Sequence, residues 1–180
     1  MMRSIALLSA AVIVGAASSR PIAPAAPSAL AADREIWTTV IGYVTAAAEQ
    51  VPESSYSYRP VPGVYTFGRL VAHIAGSQDM FCALALGDKA NASDYIEQTT
   101  TRKAALLAAL KASTAHCEKA YAMTDADAMA RTVKVFAGER SALWALLYST
   151  AHDNEHYGNM VTYMRMLGMV PPSSQPAAKS

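Results

Sequence analysis

Apolar residues recur at helical spacing in several long segments of this chain. The first segment runs from about Asp33 to Gln50, with Asp33 as a plausible N-cap and Pro52 as the stop. Four apolar side chains define one face of this first predicted helix: Ile36, Trp37, Val40 and Val44. Residues 51–64 are rich in proline and lack this spacing, so they are predicted to form an ordered loop.

Two further helices are predicted in the middle of the chain. The second runs from near Thr66 to Leu86, because Gly87 supplies the glycine that commonly follows a helix. Its inward stripe contains Leu70, His73, Ser77, Met80 and Leu84. The third spans roughly 93–122, allows a break near its start, and offers a buried face made of Leu106, Leu107, Leu110, Thr114, Cys117 and Tyr121.

The C-terminal third holds the fourth predicted helix. Residues 123–137 lose the helical period, and 133–136 are compatible with extended chain. Helical spacing resumes after Gly138 and continues to Leu167, where Gly168 and two prolines end it. The chain is therefore predicted to be all-α, a four-helix bundle with a long crossover connection between helices 3 and 4.

The N-terminus has the features of an export signal. Arg3 supplies positive charge, residues 5–17 form a short apolar run, and Ala29-Leu30-Ala31 has the small-x-small form that a signal peptidase accepts. The run is too short to span a bilayer comfortably, which disfavours a retained membrane anchor. We predict a periplasmic or secreted protein without stable membrane association after cleavage. Its parts are a signal peptide (1–31), a bundle domain (32–172) and a flexible tail (173–180).

Composition narrows the class of partner. The formal net charge is +1 and acidic and basic residues are interspersed, so no strong field attracts nucleic acid, and nucleic-acid binding is disfavoured. Cys82 and Cys117 are compatible with a disulfide in an oxidising compartment and equally with two small buried thiols. The sequence leaves both states of the cysteines open.

Three histidines are candidate metal ligands. His152 and His156 are four residues apart, which places both imidazoles on one face of a helix. His73 lies in the inward stripe of the second helix, so it should meet them inside the bundle. Three imidazoles with a fourth position open suit zinc, nickel or iron. The alternative is that these are hydrogen-bonded core histidines.

Other candidates fit this site less well. Cys82 lies nine positions after His73, on another side of the helix, and His116 lies opposite the core face, so His116 is interpreted as a surface residue. The string from His152 to His156 also matches the H-x-x-E-H motif of inverted zinc peptidases, in which Glu155 would be the general base. Those peptidases take a third ligand from a downstream glutamate, and this sequence has no acidic residue after His156, so we interpret the match as accidental.

Several of these segments together resemble the DinB family of metalloenzymes. The similarity lies in residues 65–74, 136–140, 151–158 and 168–172. The resemblance implies a four-helix bundle with a long crossover, in which His73, His152 and His156 bind a divalent metal. It also implies kinship with thiol-dependent transferases and an isomerase that use a low-molecular-weight thiol. Because such thiols are chiefly cytoplasmic, the predicted export argues against thiol transfer here.

The resemblance leads to two functional hypotheses. The first is a metal-dependent hydrolase or transferase that acts on a small molecule, and the second is a non-catalytic metal- or ligand-binding module of the cell envelope. Glu155 and Asp153 are predicted to orient the metal-bound imidazoles, with solvated helix charge as the alternative role. A homodimer is compatible with either hypothesis. Three residues are predicted to line the pocket, with core or interface packing as the competing account: Tyr148, Asn159 and Tyr163.

Overall fold

The computed structural model describes residues 28–176. Four long helices dominate this part of the chain: α1 (Ala29–Gln50), α2 (Phe67–Leu86), α4 (Lys103–Ala120) and α6 (Ala142–Met166). The shorter elements are α3 (Tyr95–Thr99), α5 (Asp125–Ala130), strands β1 (Thr132–Val135) and β2 (Gly138–Ser141), and 3-10 turns at Glu53–Ser55 and Pro172–Ser174.

The four long helices form a bundle, as predicted. Helix α2 packs against α4 and α6, and α1 packs against the same two helices from the other side. The core between them is made of fully buried apolar side chains, among them Val44, Phe67, Ile74, Phe81, Leu106, Leu110, Leu146, Met160 and Met164. The long connection between the third and fourth bundle helices holds α5 and the two strands. Within residues 28–176, no helix has the length and apolarity needed to cross a membrane.

Helix α1 begins four residues earlier than predicted. Ser28 is its N-cap, and the Asp125 carboxylate on α5 accepts hydrogen bonds from the Ser28 hydroxyl and from the backbone N–H groups of Ala29 and Leu30. The predicted N-cap Asp33 is wrong, because Asp33 is buried inside the helix at 4% exposure. The predicted boundary after residue 31 falls in the first turn of α1, whereas residues 1–27 of the predicted signal peptide lie outside the described residues.

The second half of the chain contains one expected break and one boundary that differs from prediction. The third predicted helix is divided into α3 and α4 at residues 100–102, the kind of break near its start that the sequence allowed. The fourth begins at Ala142 rather than after Gly138, because residues 138–141 pair antiparallel with β1, in a register that joins Val135 to Gly138. The Ser141 hydroxyl then accepts from the Trp144 N–H and caps α6.

The interface between α2 and α4 is tied by polar and covalent contacts. Cys82 and Cys117 form a disulfide across it, which resolves the two states that the sequence left open. The Gln78 side chain, fully buried, donates to the Ser113 hydroxyl at 2.9 Å. His116 is only partly exposed and its two ring nitrogens contact the carboxylates of Asp79 and Asp88. His116, interpreted as a surface residue, is thus partly exposed, and its ring links α4 to Asp79 on α2 and to Asp88 just after α2.

The end of the chain is tied to the bundle as far as the structure describes it. The Tyr157 hydroxyl donates to the Ser173 hydroxyl at 2.9 Å and accepts from the Ser173 N–H at 3.0 Å. The Gln175 side chain donates to the Gln50 side chain at 3.0 Å. The predicted flexible tail is thus held against α1 and α6 at residues 173–175, and its last four residues, 177–180, lie outside the described residues.

Candidate metal centre

Three histidine rings meet between α2 and α6. His73 Nε2 lies 3.1 Å from His152 Nε2, and His156 Nε2 lies 3.1 Å from the same atom. All three ligand atoms lie within 4.8 Å of one another. The spacing of four residues on α6 and the inward stripe of α2 bring these rings together, as the sequence predicted.

The ends of these two helices are fixed by local sequence. The Thr66 hydroxyl caps α2 by accepting from the Arg69 N–H, and Gly87 ends the helix in the left-handed conformation with φ of 81°. At the end of α6, Gly168 likewise has a positive φ of 73°. These residues set where α2 begins and where α2 and α6 end.

The donor set fits a divalent cation. Burial is the main cause that lowers the pKa of His156 to about 4, and the neighbouring imidazoles of His152 and His73 lower it further. The ring is therefore neutral near pH 7, and its nitrogen lone pair is free to bind a metal. Three Nε2 atoms directed at one point cannot all be satisfied by each other, whereas a single ion satisfies all three. The side chains of His73 and His152 are 18% and 15% exposed, so the point is open to solvent.

A carboxylate that the sequence did not single out binds His73. Glu97 Oε1, on the short helix α3, lies 2.6 Å from His73 Nδ1, and its other oxygen lies 2.7 Å from Arg69 Nε. The Glu97 side chain is 5% exposed. A helix of five residues has no readable period, so the available sequence signal was only an acidic residue between α2 and α4.

The environment of His152 is buried and polar. Asp153 is fully buried, and its Oδ1 lies 4.0 Å from His152 Nδ1. Burial is the main cause that raises the pKa of Asp153 to about 6. Three neighbouring side chains on α6 have buried atoms without a hydrogen-bond partner in the described residues. These atoms are His152 Nδ1, the Ser149 hydroxyl oxygen and both Asp153 carboxylate oxygens. Buried polar atoms without a partner are uncommon in proteins, and most of those in the described residues belong to His152 and its neighbours on α6; Asp33 Oδ2 on α1 is a further one.

Aromatic rings extend from the histidines to the hairpin. The ring centroids of Phe81 and Tyr148 lie 6.3 Å and 6.4 Å from that of His152, and Phe136 lies 5.4 Å from Tyr148. Phe136 is 70% exposed and has a φ of 52°, which a residue with a side chain rarely adopts. The hairpin turn thus places an exposed aromatic ring beside the centre. Tyr148, one of the three residues predicted to line a pocket, thus has its ring beside His152 and remains partly exposed.

The remaining predicted site residues occupy different places. Glu155 is exposed on α6, and the carboxylates beside the histidines are those of Glu97 and Asp153. The Asn159 amide lies 3.4 Å from His156 Nδ1 at the exposed edge of the centre. Tyr163 is buried, and its hydroxyl donates to the backbone oxygen of Tyr65, so it packs in the core beneath the site.

The comparisons with known proteins agree with this geometry. The family model described as the DinB superfamily matches residues 36–160, a range that includes all three histidines. A search of curated proteins found no match. Each similarity below concerns a solved structure with low sequence identity, so it shows a shared fold.

Three solved structures illustrate that similarity. A DinB-like protein from Bacillus cereus ATCC 10987 is 20% identical with a TM-score of 0.66, over 78% of this chain and 93% of that protein. A DinB-like protein from Bacillus subtilis is 21% identical with a TM-score of 0.63, over 82% and 99% of the two chains. A mycothiol-dependent maleylpyruvate isomerase is 18% identical with a TM-score of 0.62, over 73% of this chain and 60% of the isomerase.

Proposed function

The chain belongs to the DinB superfamily, and from that premise we propose that it is a divalent-metal-dependent hydrolase or transferase that acts on a small molecule. The observation that supports this proposal is the convergence of three Nε2 atoms at a point open to solvent. Three protein ligands leave a coordination position for water or substrate, whereas a purely structural site is usually closed by four. Zinc, nickel and iron all suit an imidazole donor set.

The side chains around the centre would have different roles in such a site. His73, His152 and His156 would hold the ion, which when bound supplies Lewis acidity and activates a water or thiol nucleophile near neutral pH. Phe81 and Tyr148 cover the flank of His152 and limit the access of bulk water to that side. The exposed edge at His156 remains for the entry of a small molecule.

The proposed location is the periplasm or the exterior of the cell. Two observations support it: the N-terminal sequence has the pattern of an export signal, and Cys82 and Cys117 are paired. The mycothiol-dependent isomerase uses a thiol that is chiefly cytoplasmic, so export would favour hydrolysis over thiol transfer. The near-neutral, interspersed charge supports a small-molecule partner rather than nucleic acid. A homodimer stays a prediction.

One observation favours a second candidate, a non-catalytic metal- or ligand-binding module. The two buried carboxylates near the histidines, Glu97 and Asp153, lie on the Nδ1 sides of His73 and His152 rather than at the converging nitrogens. In the described part of the chain, an acid or base aimed at the open position is therefore not evident among these carboxylates. A binding module would hold the metal with equal affinity and show no turnover.

Elemental analysis of protein purified without an affinity tag tests the proposal. Wild type is expected to contain one divalent ion per chain, and His73→Ala and His152→Ala are each expected to lose it. A screen of small esters, amides and phosphoesters, with and without chelator, then separates the two candidates. Metal-dependent hydrolysis would support the enzyme, stoichiometric metal without turnover would support the module, and metal retained in both variants would remove the site.

A further inference from the structure

We propose that Glu97 is the positioning residue of this metal site, which fixes His73 in the tautomer and orientation that metal binding requires. The inference rests on the metal-binding function proposed above. Histidine binds a metal through one ring nitrogen, and a hydrogen bond from the other nitrogen decides which of the two is free. The Glu97 carboxylate supplies that hydrogen bond to His73.

The distances define the tautomer. His73 Nδ1 lies 2.6 Å from Glu97 Oε1, and a carboxylate oxygen only accepts, so Nδ1 carries the proton and donates it. In the neutral ring, Nε2 then carries the free lone pair, and this atom lies 3.1 Å from His152 Nε2. The hydrogen bond is nearly sealed from water, because the Glu97 side chain is 5% exposed.

A second contact stops Glu97 from rotating away. Arg69, one turn before His73 on α2, donates from Nε to the other Glu97 oxygen at 2.7 Å. The guanidinium carbon lies 3.8 Å from the centroid of the Tyr65 ring, which itself packs edge-on against His73. The four side chains brace one another, so the carboxylate is held at both oxygens.

The backbone explains how a five-residue helix reaches His73. Gly76 lies three residues after His73 on α2, and a Cβ atom at this position would clash with the carbonyl oxygen of Ser93. The glycine therefore lets the chain that enters α3 lie directly on the backbone of α2. This close approach brings Glu97, in the first turn of α3, within hydrogen-bond distance of His73 Nδ1.

The other two histidines lack an equivalent partner in the described residues. His152 Nδ1 lies 4.0 Å from Asp153 Oδ1, beyond hydrogen-bond distance, and His156 Nδ1 lies 3.4 Å from the Asn159 amide nitrogen. A long contact to an amide fixes a ring less firmly than a short one to a carboxylate. His73 is thus the most firmly oriented of the three ligands.

Zinc affinity provides the first test, measured by competition with a chromogenic chelator. Glu97→Ala is expected to weaken zinc binding 10- to 100-fold, and Glu97→Gln about tenfold, because its amide oxygen still accepts the Nδ1 proton without the charge. The matched control is Glu155→Gln, an exposed glutamate that lies beside the ligands in sequence, which is expected to leave the affinity unchanged.

The tautomer of His73 can be measured by long-range ¹H–¹⁵N NMR of the metal-free protein. If Glu97 only stabilised the fold, its substitution would leave this tautomer unchanged. In wild type, His73 is expected to be protonated at Nδ1 only. In Glu97→Ala, we expect a mixture of tautomers at His73, while Glu97→Gln is expected to restore the Nδ1–H form. Circular dichroism confirms that each variant folds.

A second variant disturbs the same hydrogen bond with Glu97 still present. Gly76→Ala is expected to push Ser93 away from α2, move α3, weaken zinc binding about tenfold and give the same tautomer mixture at His73. The matched control is Gly42→Ala on α1, where a Cβ has nothing within 4 Å.

The outcomes separate this inference from the proposed function. Equal zinc affinity in wild type and Glu97→Ala, or a larger loss in Glu155→Gln than in Glu97→Gln, would overturn the inference and leave the metal site intact. Absence of zinc binding in wild type would overturn the proposed function, and the positioning role with it. An Nδ1–H tautomer of His73 that persists in Glu97→Ala would also overturn the positioning role.

Discussion

Helix α2 packs against α4 on one side and against α6 on the other. Buried polar side chains are hydrogen-bonded between α2 and α4, whereas several on α6 have no partner in the described residues. Toward α4, the buried Gln78 side chain donates to the Ser113 hydroxyl, and a disulfide joins the two helices; the Gln78 oxygen accepts from the Trp37 indole of α1. On α6, Asp153 follows the His152 that meets α2, and both Asp153 and Ser149 are buried with oxygens that have no hydrogen-bond partner in the described residues.

The contrast separates structural polar groups from functional ones. An unsatisfied buried polar atom costs about 1 to 3 kcal/mol, so a protein retains such atoms where something other than stability requires them. The α4 interface holds the bundle together, whereas the α6 interface carries the ligands of the proposed metal.

Loss of a metal ligand should have the largest effect on stability. With metal at about 1,000 times Kd, binding stabilises the folded state by about 4 kcal/mol, and His152→Ala should abolish that gain. The measurement is the difference in Tm with and without zinc, by calorimetry. The control is His116→Ala at the α4 interface, which should keep the zinc-dependent shift. A lost shift in His116→Ala would contradict the division between interfaces.

Removal of the disulfide should come next. Replacement of Cys82 and Cys117 by alanine opens a loop of 35 residues and should lower the free energy of unfolding by about 3 to 4 kcal/mol. Urea unfolding measures this change. Zinc stoichiometry should remain one per chain, because the bond ties α2 to α4 and leaves α6 untouched. Metal loss on reduction would show that the two interfaces are coupled.

Two buried serines provide a matched pair with a smaller effect. Ser113 is 2% exposed and accepts from Gln78 and donates to Leu110, so Ser113→Ala should destabilise by about 1 to 2 kcal/mol. Ser149 is 1% exposed and its hydroxyl has no partner in the described residues, so Ser149→Ala should be neutral or slightly stabilising. Urea unfolding of both variants measures the difference, and equal losses would contradict the comparison.

The smallest expected effect depends on pH. Hydrogen bonding to Asp79, and then to Asp88, raises the pKa of His116 in the folded state. The stabilisation is therefore complete below the unfolded pKa near 6.5 and is lost as pH rises through the higher folded value. The stability advantage of wild type over His116→Gln should reach at most about 1 kcal/mol near pH 6 and fall toward zero as the pH rises through the folded pKa. An advantage that grows with pH would have the wrong sign.

Much of the bundle and the histidine cluster could be predicted from sequence because the signals are local. The glycines that end α2 and α6 are visible, and the spacing of His152 and His156 fixes their common face without knowledge of the fold. The stripe on α2 then predicted that His73 points inward. Long amphipathic segments with clear stops suffice for this.

The parts that were missed are set by distant contacts. The start of α1 depends on Asp125, almost a hundred residues away, and the hairpin strands have only four residues each. Glu97 contacts His73 because the absence of a side chain at Gly76 lets Ser93 pack against α2. The sequence of α3 alone does not indicate this packing. The pairing of Cys82 with Cys117 likewise depends on how closely α2 and α4 pack, which the sequence does not give.

The bond between Asp125 and the first turn of α1 has a practical consequence for whoever chooses where a recombinant fragment begins. A fragment that starts at Ala32 would lack Leu30, which is 1% exposed in the core, together with all three groups that donate to Asp125. A fragment that starts before Ser28 keeps Leu30 and the three groups that donate to Asp125. The choice of first residue thereby determines whether the opening turn of the bundle is present in the sample.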